Sequence, residues 1–202
     1  MMNVIGLISS ITSILAVIFL LKKKYVRMSE IGWSFIFAGI VVILAQMISM
    51  IISALHGNIH SLYLYVALTL LEEAAICLFY LLAFKEHRNL YNVILFGLAF
   101  AIIENVLLTP SDPRRIIMGN IVFFTHSAFM LIFYYLSINI KNRKYNILVA
   151  VLAASTAHLI FNLTVYFGSG FLYSCWLVFL MAISWSIIKN TLHDKDQPAE
   201  IS

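Results

Sequence analysis

With 202 residues, 62% of them hydrophobic and 11% charged, the chain is too apolar for a water-soluble domain, and a mean hydropathy of +0.97 points the same way. A net charge of +4 and a pI near 9.1 would suit nucleic acid if the basic residues formed a patch, but they are strung between apolar runs, which excludes that partner. The composition leaves an integral membrane protein, and the short segments of alternating polarity that mark a transmembrane barrel do not occur.

In chain order, seven runs meet the requirement of about 20 mostly apolar residues for a membrane-crossing α-helix. They lie near 3–21, 31–55, 62–84, 90–108, 116–138, 146–166 and 170–188. The first is read as a span rather than a signal peptide, because Met1, Met2 and Asn3 carry no basic side chain and no small-residue cleavage site follows. His56 and His60 flank a Gly57-Asn58 turn after the second run and, like His87 in the loop after the third, are expected to face solvent.

The third run holds the most informative feature, Glu72 and Glu73 side by side near its middle. An ionised side chain at the bilayer centre costs about 2.5–3.5 kcal/mol on insertion scales, so an adjacent pair with no basic residue on the same helix points to function. Thr69, Glu73 and Cys77 share one stripe, and Glu72 points about 100° away from it. Cys77 and Cys175 are read as small apolar side chains inside spans.

The fourth run carries Gly97, Ala101 and Glu104 along one face, where the small residues would let a neighbouring helix approach closely. Glu104 has two readings, a site residue or a side chain snorkelling to the nearer interface. Asn105 is read as structural support. The fifth run places His126 in mid-span, and the sixth aligns Ser155, His158 and Asn162 on one face of an otherwise apolar helix.

Apart from Arg114 and Arg115, all of the 13 basic residues follow the first, third, fifth or seventh run. The positive-inside rule then sets the N-terminus outside and the C-terminus in the cytoplasm. The expectation is an all-α polytopic transmembrane bundle of about seven spans, residues 1–189, with a core at 62–166 and a flexible cytoplasmic tail at 190–202. With about 1.5 Å of rise per residue, Glu72, Glu104, His126 and His158 fall within a depth window of about 10 Å in the outer half or near the midplane.

Glu72-Glu73, then Phe96 to Asn105, then a mid-helix His126, then His158-Leu159-Ile160-Phe161-Asn162, form an ordered set that resembles the PrsW-type intramembrane proteases. That family stands with the CAAX prenyl proteases and bacteriocin-processing proteins in a superfamily of membrane glutamate proteases. The likeness covers residues 62–166. It departs from the family pattern where a basic residue would follow the glutamate pair by one turn, because Ala74, Ala75, Ile76 and Cys77 stand there.

The resemblance implies hydrolysis of a peptide bond in a membrane-anchored protein. Carried onto this chain, it makes Glu72 the base that activates water, with His126 helping to hold the water, Glu73 orienting the base or sharing its proton, and His158 and Asn162 donating to the oxyanion. An apolar surrounding makes a carboxylate a stronger base, as that role needs. No cofactor is expected. The metal alternative is a zinc ion on Glu73, His126 and His158, with an open position for water. The other functional alternatives are a CAAX-type prenyl-protein endopeptidase, a non-catalytic membrane scaffold and a proton-coupled transporter.

Overall fold

The computed structural model describes residues 4–56, 62–85, 88–108, 115–140, 145–168 and 170–196. The Gly57-Asn58 turn with His60, His87, Arg114, the cluster Lys141, Arg143 and Lys144, and the tail from Gln197 onward lie outside the described residues. Among the described residues all regular structure is helical: α1 (Val4–Ser9), α2 (Ile11–Lys22), α3 (Met28–His56), α4 (Leu62–Ala83), α5 (Leu90–Leu108), α6 (Arg115–Asn139), α7 (Asn146–Tyr166) and α8 (Gly170–Asp196).

Among the described residues, five stretches are long and apolar enough to cross a membrane: Met28–Ile52, Leu62–Ala83, Leu90–Leu107, Asn146–Tyr166 and Gly170–His193. In lipid every backbone N–H and C=O must find its partner within the protein, and unbroken helices meet that demand. The protein is therefore built as a helical membrane bundle.

Two expectations are corrected. The first run, expected over 3–21, is not one continuous helix but is broken at Ser10 into α1 and the 12-residue α2. Asn105 of α5 points its amide at the carbonyl of Ser9, 3.4 Å away, so the break lies against a polar partner inside the bundle. The polar tail expected to begin at 190 starts as helix instead, because α8 runs on through Asp196.

Helix starts are fixed by local chemistry. Glu30 accepts a 2.6 Å hydrogen bond from the backbone N–H of Arg27, which closes the first turn of α3 as a capping box does. Its other oxygen accepts from the Asn92 side chain at 3.1 Å, tying the start of α3 to the start of α5. Asn89 caps α5 by accepting from the N–H groups of Tyr91 and Asn92 at 2.9 and 3.0 Å.

The helix contacts close a ring in which α3 packs on α4, α4 on α7, α7 on α6, α6 on α5 and α5 back on α3. Outside it, α1 and α2 pack against α5 and α6, while α8 packs against α6 and α7. α5 is apolar on nearly every face, and 67% of its span is buried, more than in any of the other four stretches. Toward the end that carries Lys85 and Arg88, the interior is an aromatic layer in which Tyr80 meets Phe84, Phe96 and Phe133 at centroid distances of 5.3, 5.7 and 6.2 Å. The acidic and imidazole side chains lie on the far side of this layer from Lys85.

Candidate active site

Four helices of the ring bring the ionisable side chains together. Glu72 and Glu73 come from the middle of α4, His126 and His158 from the middle of α6 and α7, and Glu104 from the last turns of α5. The small residues of α5 make this convergence feasible. A Cβ added at Gly97 would lie 2.7 Å from Cα of Ser127 and 3.0 Å from the carbonyl carbon of His126, so only glycine lets the two backbones approach this closely. Ala101, fully buried, continues the same face one turn on, and Glu104 follows it.

The site is organised as two carboxylate–imidazole pairs. Oε2 of Glu73 lies 2.9 Å from Nδ1 of His158, and Oε2 of Glu104 lies 2.8 Å from Nε2 of His126. Of the two readings held for Glu104, the structure supports membership of the cluster, because its carboxylate is turned to α6. The imidazole rings stand edge to face with centroids 5.3 Å apart. Phe129 stacks on His158 at 4.9 Å, and Phe100 lies 4.8 Å from His126. Ring orientation is thus set by packing on one side and a carboxylate on the other.

Because an ionised carboxylate only accepts hydrogen bonds, the N–H of each neutral ring belongs on the nitrogen facing its glutamate. That leaves Nε2 of His158 and Nδ1 of His126 free for other partners. One oxygen of Glu73 and one nitrogen from each ring all lie within 4.8 Å of one another. This triad is the donor set available to a metal. The partner of Glu73 is thus His158 from α7, and the Cys77 thiol adds a weak contact to Glu73 at 3.9 Å.

Glu72 is placed differently from its neighbour. Glu73 is 1% exposed, whereas Glu72 is half-buried and lines a cavity of about 360 Å³ between α3, α4 and α7. Among the described residues no hydrogen bond ties the Glu72 carboxylate down, yet it lies within electrostatic reach of His158, Glu104, His126 and Glu73. The 100° turn between the glutamates therefore sends one into the core and the other to the cavity, as the helical spacing anticipates.

Asn162 shares that cavity. Its side-chain amide donates to Oγ1 of Thr69 at 3.2 Å, and its backbone carbonyl accepts from the Tyr65 hydroxyl at 3.3 Å, so α7 is pinned to α4 beside Glu72. One of the two amide hydrogens remains for another acceptor. Ser155 is buried on the same face of α7. Asn105 stands apart, turned toward α1.

Sequence reasoning missed the second partner of each imidazole, Phe129 and Phe100, because a phenylalanine in a greasy helix carries no distinguishing signal. It also missed Thr69 and Tyr65 as partners of Asn162, although Thr69 shares a stripe with Glu73, and it assigned nothing to α3. Comparison with protein-family models, with curated proteins and with solved structures gives no match to this chain.

Proposed function

We propose that the protein is an intramembrane endopeptidase of the PrsW type that hydrolyses a peptide bond in a membrane-anchored protein. The observation that carries this reading is the division of labour between the adjacent glutamates: Glu73 is locked to His158 in the core, while Glu72 faces a cavity with its carboxylate unengaged among the described residues. A buried polar cluster kept only for packing would engage both.

In the proposed reaction, Glu72 takes a proton from water as the oxygen attacks the carbonyl carbon of the substrate. The negative charge moves to the carbonyl oxygen, where the free N–H of Asn162 donates to it, joined by Nε2–H of His158 when that ring carries a proton on both nitrogens. Glu72 then returns the proton to the amide nitrogen, the C–N bond breaks, and an acid and an amine leave. Glu104 keeps His126 oriented toward the same space. A hydrogen-bond donor to such an oxyanion is worth about 2.7–4 kcal/mol.

The proposed topology is a multi-pass protein of the cell membrane with seven spans, α1 and α2 together forming the first and α6 the fifth. The N-terminus is outside and the C-terminus in the cytoplasm, as the basic residues at alternate ends favour. The site then lies in the outer half, which suits cleavage near the outer face better than trimming of a prenylated cytoplasmic C-terminus. The partners are the lipid bilayer and a membrane-anchored substrate, with no nucleic acid.

Zinc is the second reading, and Glu73, His126 and His158 are the residues that would hold it. Reconstitution into liposomes with a library of single-span peptides decides among the classes. Cleavage that survives a chelator supports the metal-free hydrolase, and cleavage lost to chelator and restored by zinc supports the metal reading. Ion-gradient-driven flux without cleavage makes the protein a transporter.

A further inference from the structure

The cavity that ends at Glu72 has a second wall, and that wall is α3. Val41, Ala45 and Ser49 form a stripe along it, with Gln46 at the edge of that stripe, and all four line the cavity. Gln46 and Ser49 lie within the apolar span Met28–Ile52, toward its Ile52 end, where a side-chain amide still favours a polar partner over lipid. Both are half-buried, and among the described residues neither makes a hydrogen bond. The exposed side of α3 is apolar: Ile43, Met47 and Met50 lie outward, as lipid contact requires. The amide and the hydroxyl are therefore not strays on the lipid face. They line the cavity wall, across from Glu72, Thr69 and Asn162.

We propose that Gln46 and Ser49 bind the backbone of an unwound stretch of a transmembrane substrate, which reaches Glu72 by sliding between α3 and α4. This rests on the hydrolase reading above and names the substrate class for the same site: a single membrane span with a helix-weakening sequence at the depth of Glu72. The physical need is specific. A helical peptide bond is enclosed by its own turn, so a span must unwind locally before water can reach a carbonyl. In lipid each N–H and C=O freed by unwinding costs several kcal/mol unless a partner is supplied. A primary amide offers both donor and acceptor, and a hydroxyl does the same, so the pair can satisfy freed groups of either kind. The flank suits passage, since only 17% of the α3 span is buried and the contact residues toward α4, such as Ala45 and Ala75, are small.

The test uses the full chain in liposomes with two fluorescent single-span peptides of equal length and hydropathy, one uninterrupted and one carrying Gly-Pro at the depth of Glu72. Binding is measured first on Glu72→Gln, which removes the base. The helix-broken peptide is expected to bind tighter than the uninterrupted one. Adding Gln46→Leu or Ser49→Ala to Glu72→Gln should weaken that binding at least about threefold, the scale of one hydrogen bond in a membrane protein. Gln46→Leu keeps the side-chain size and is better suited to lipid, so loss of fold is not the expected route; thermal unfolding of each variant checks this. Equal binding of both peptides, no binding of either, or unchanged binding in the two α3 variants overturns the inference. Cleavage by the otherwise native chain is scored separately. Selective binding sensitive to Gln46 without any cleavage leaves the α3 wall as a helix-binding site and removes the hydrolase, whereas cleavage indifferent to Gln46 and Ser49 does the reverse.

Discussion

Oε2 of Glu104 and Nε2 of His126 meet at 2.8 Å between α5 and α6, seven residues along α5 from the glycine that lets the two helices touch. The closeness of the helices and the pairing of the side chains are one feature. If α6 stood off by the width of a methyl group at Gly97, His126 would shift relative to Glu104, to Phe100 and to the second pair behind it.

Gly97→Ala should therefore act at a distance. The new methyl meets backbone rather than a flexible side-chain end, so the helices must separate. Overpacking of this kind costs about 1–3 kcal/mol. A lowered unfolding temperature in detergent, with loss of peptide cleavage larger than the stability change accounts for, is the expected result, and Ala101→Gly should not reproduce it.

Glu104→Gln keeps the size of the side chain and removes its charge. The amide can still accept a hydrogen bond from His126, but it can equally donate, so the ring is no longer held in one tautomer. Partners that orient a site histidine in this way are worth about tenfold to hundredfold in activity where they support metal ligands. A loss of that size is expected in kcat, with KM little changed, measured on a single-span peptide in liposomes.

Glu73 and His158 form the buried pair, each under 10% exposed. Removing one partner from such a pair costs about 3–5 kcal/mol because the other is left uncompensated. His158→Ala, which among the described residues leaves Glu73 with the Cys77 thiol alone, should be strongly destabilised in thermal unfolding. The double substitution Glu73→Leu with His158→Leu should be more stable than His158→Ala alone, although inactive.

Asn162→Ala removes the amide that reaches Thr69 and leaves the backbone carbonyl that accepts from Tyr65. The packing of α7 on α4 should survive. Loss of an oxyanion donor is worth about a hundredfold to a thousandfold in kcat. An unchanged kcat would reassign Asn162 to helix–helix glue.

Much of the fold was legible in the sequence because the bilayer demands long apolar helices, and charges inside them stand out. The pairing was not. Glu72 and Glu73 are adjacent and chemically identical, so only the 100° turn between them hinted that they would part company. That His158 would take Glu73 and His126 would take Glu104 depends on how four helices rotate about their axes, which no single run encodes. The break at Ser10 was hidden for a related reason: a serine pair is ordinary in a membrane helix, and the partner lying against Ser9, Asn105, is 96 residues away. Gln46 was passed over because an uncharged amide costs far less than a carboxylate and is a weaker signal.

The proposed hydrolysis stands or falls with Glu72 as the base. Its most direct measurement compares the native chain with Glu72→Gln in liposomes, using single-span peptides in water enriched in oxygen-18 and mass spectrometry of the products. Two fragments are expected from the native chain with the label in the new carboxyl group, and no cleavage above background from Glu72→Gln, whose unfolding temperature stays close to native. Equal cleavage by the two proteins, or no labelled carboxyl group in any product, would contradict it.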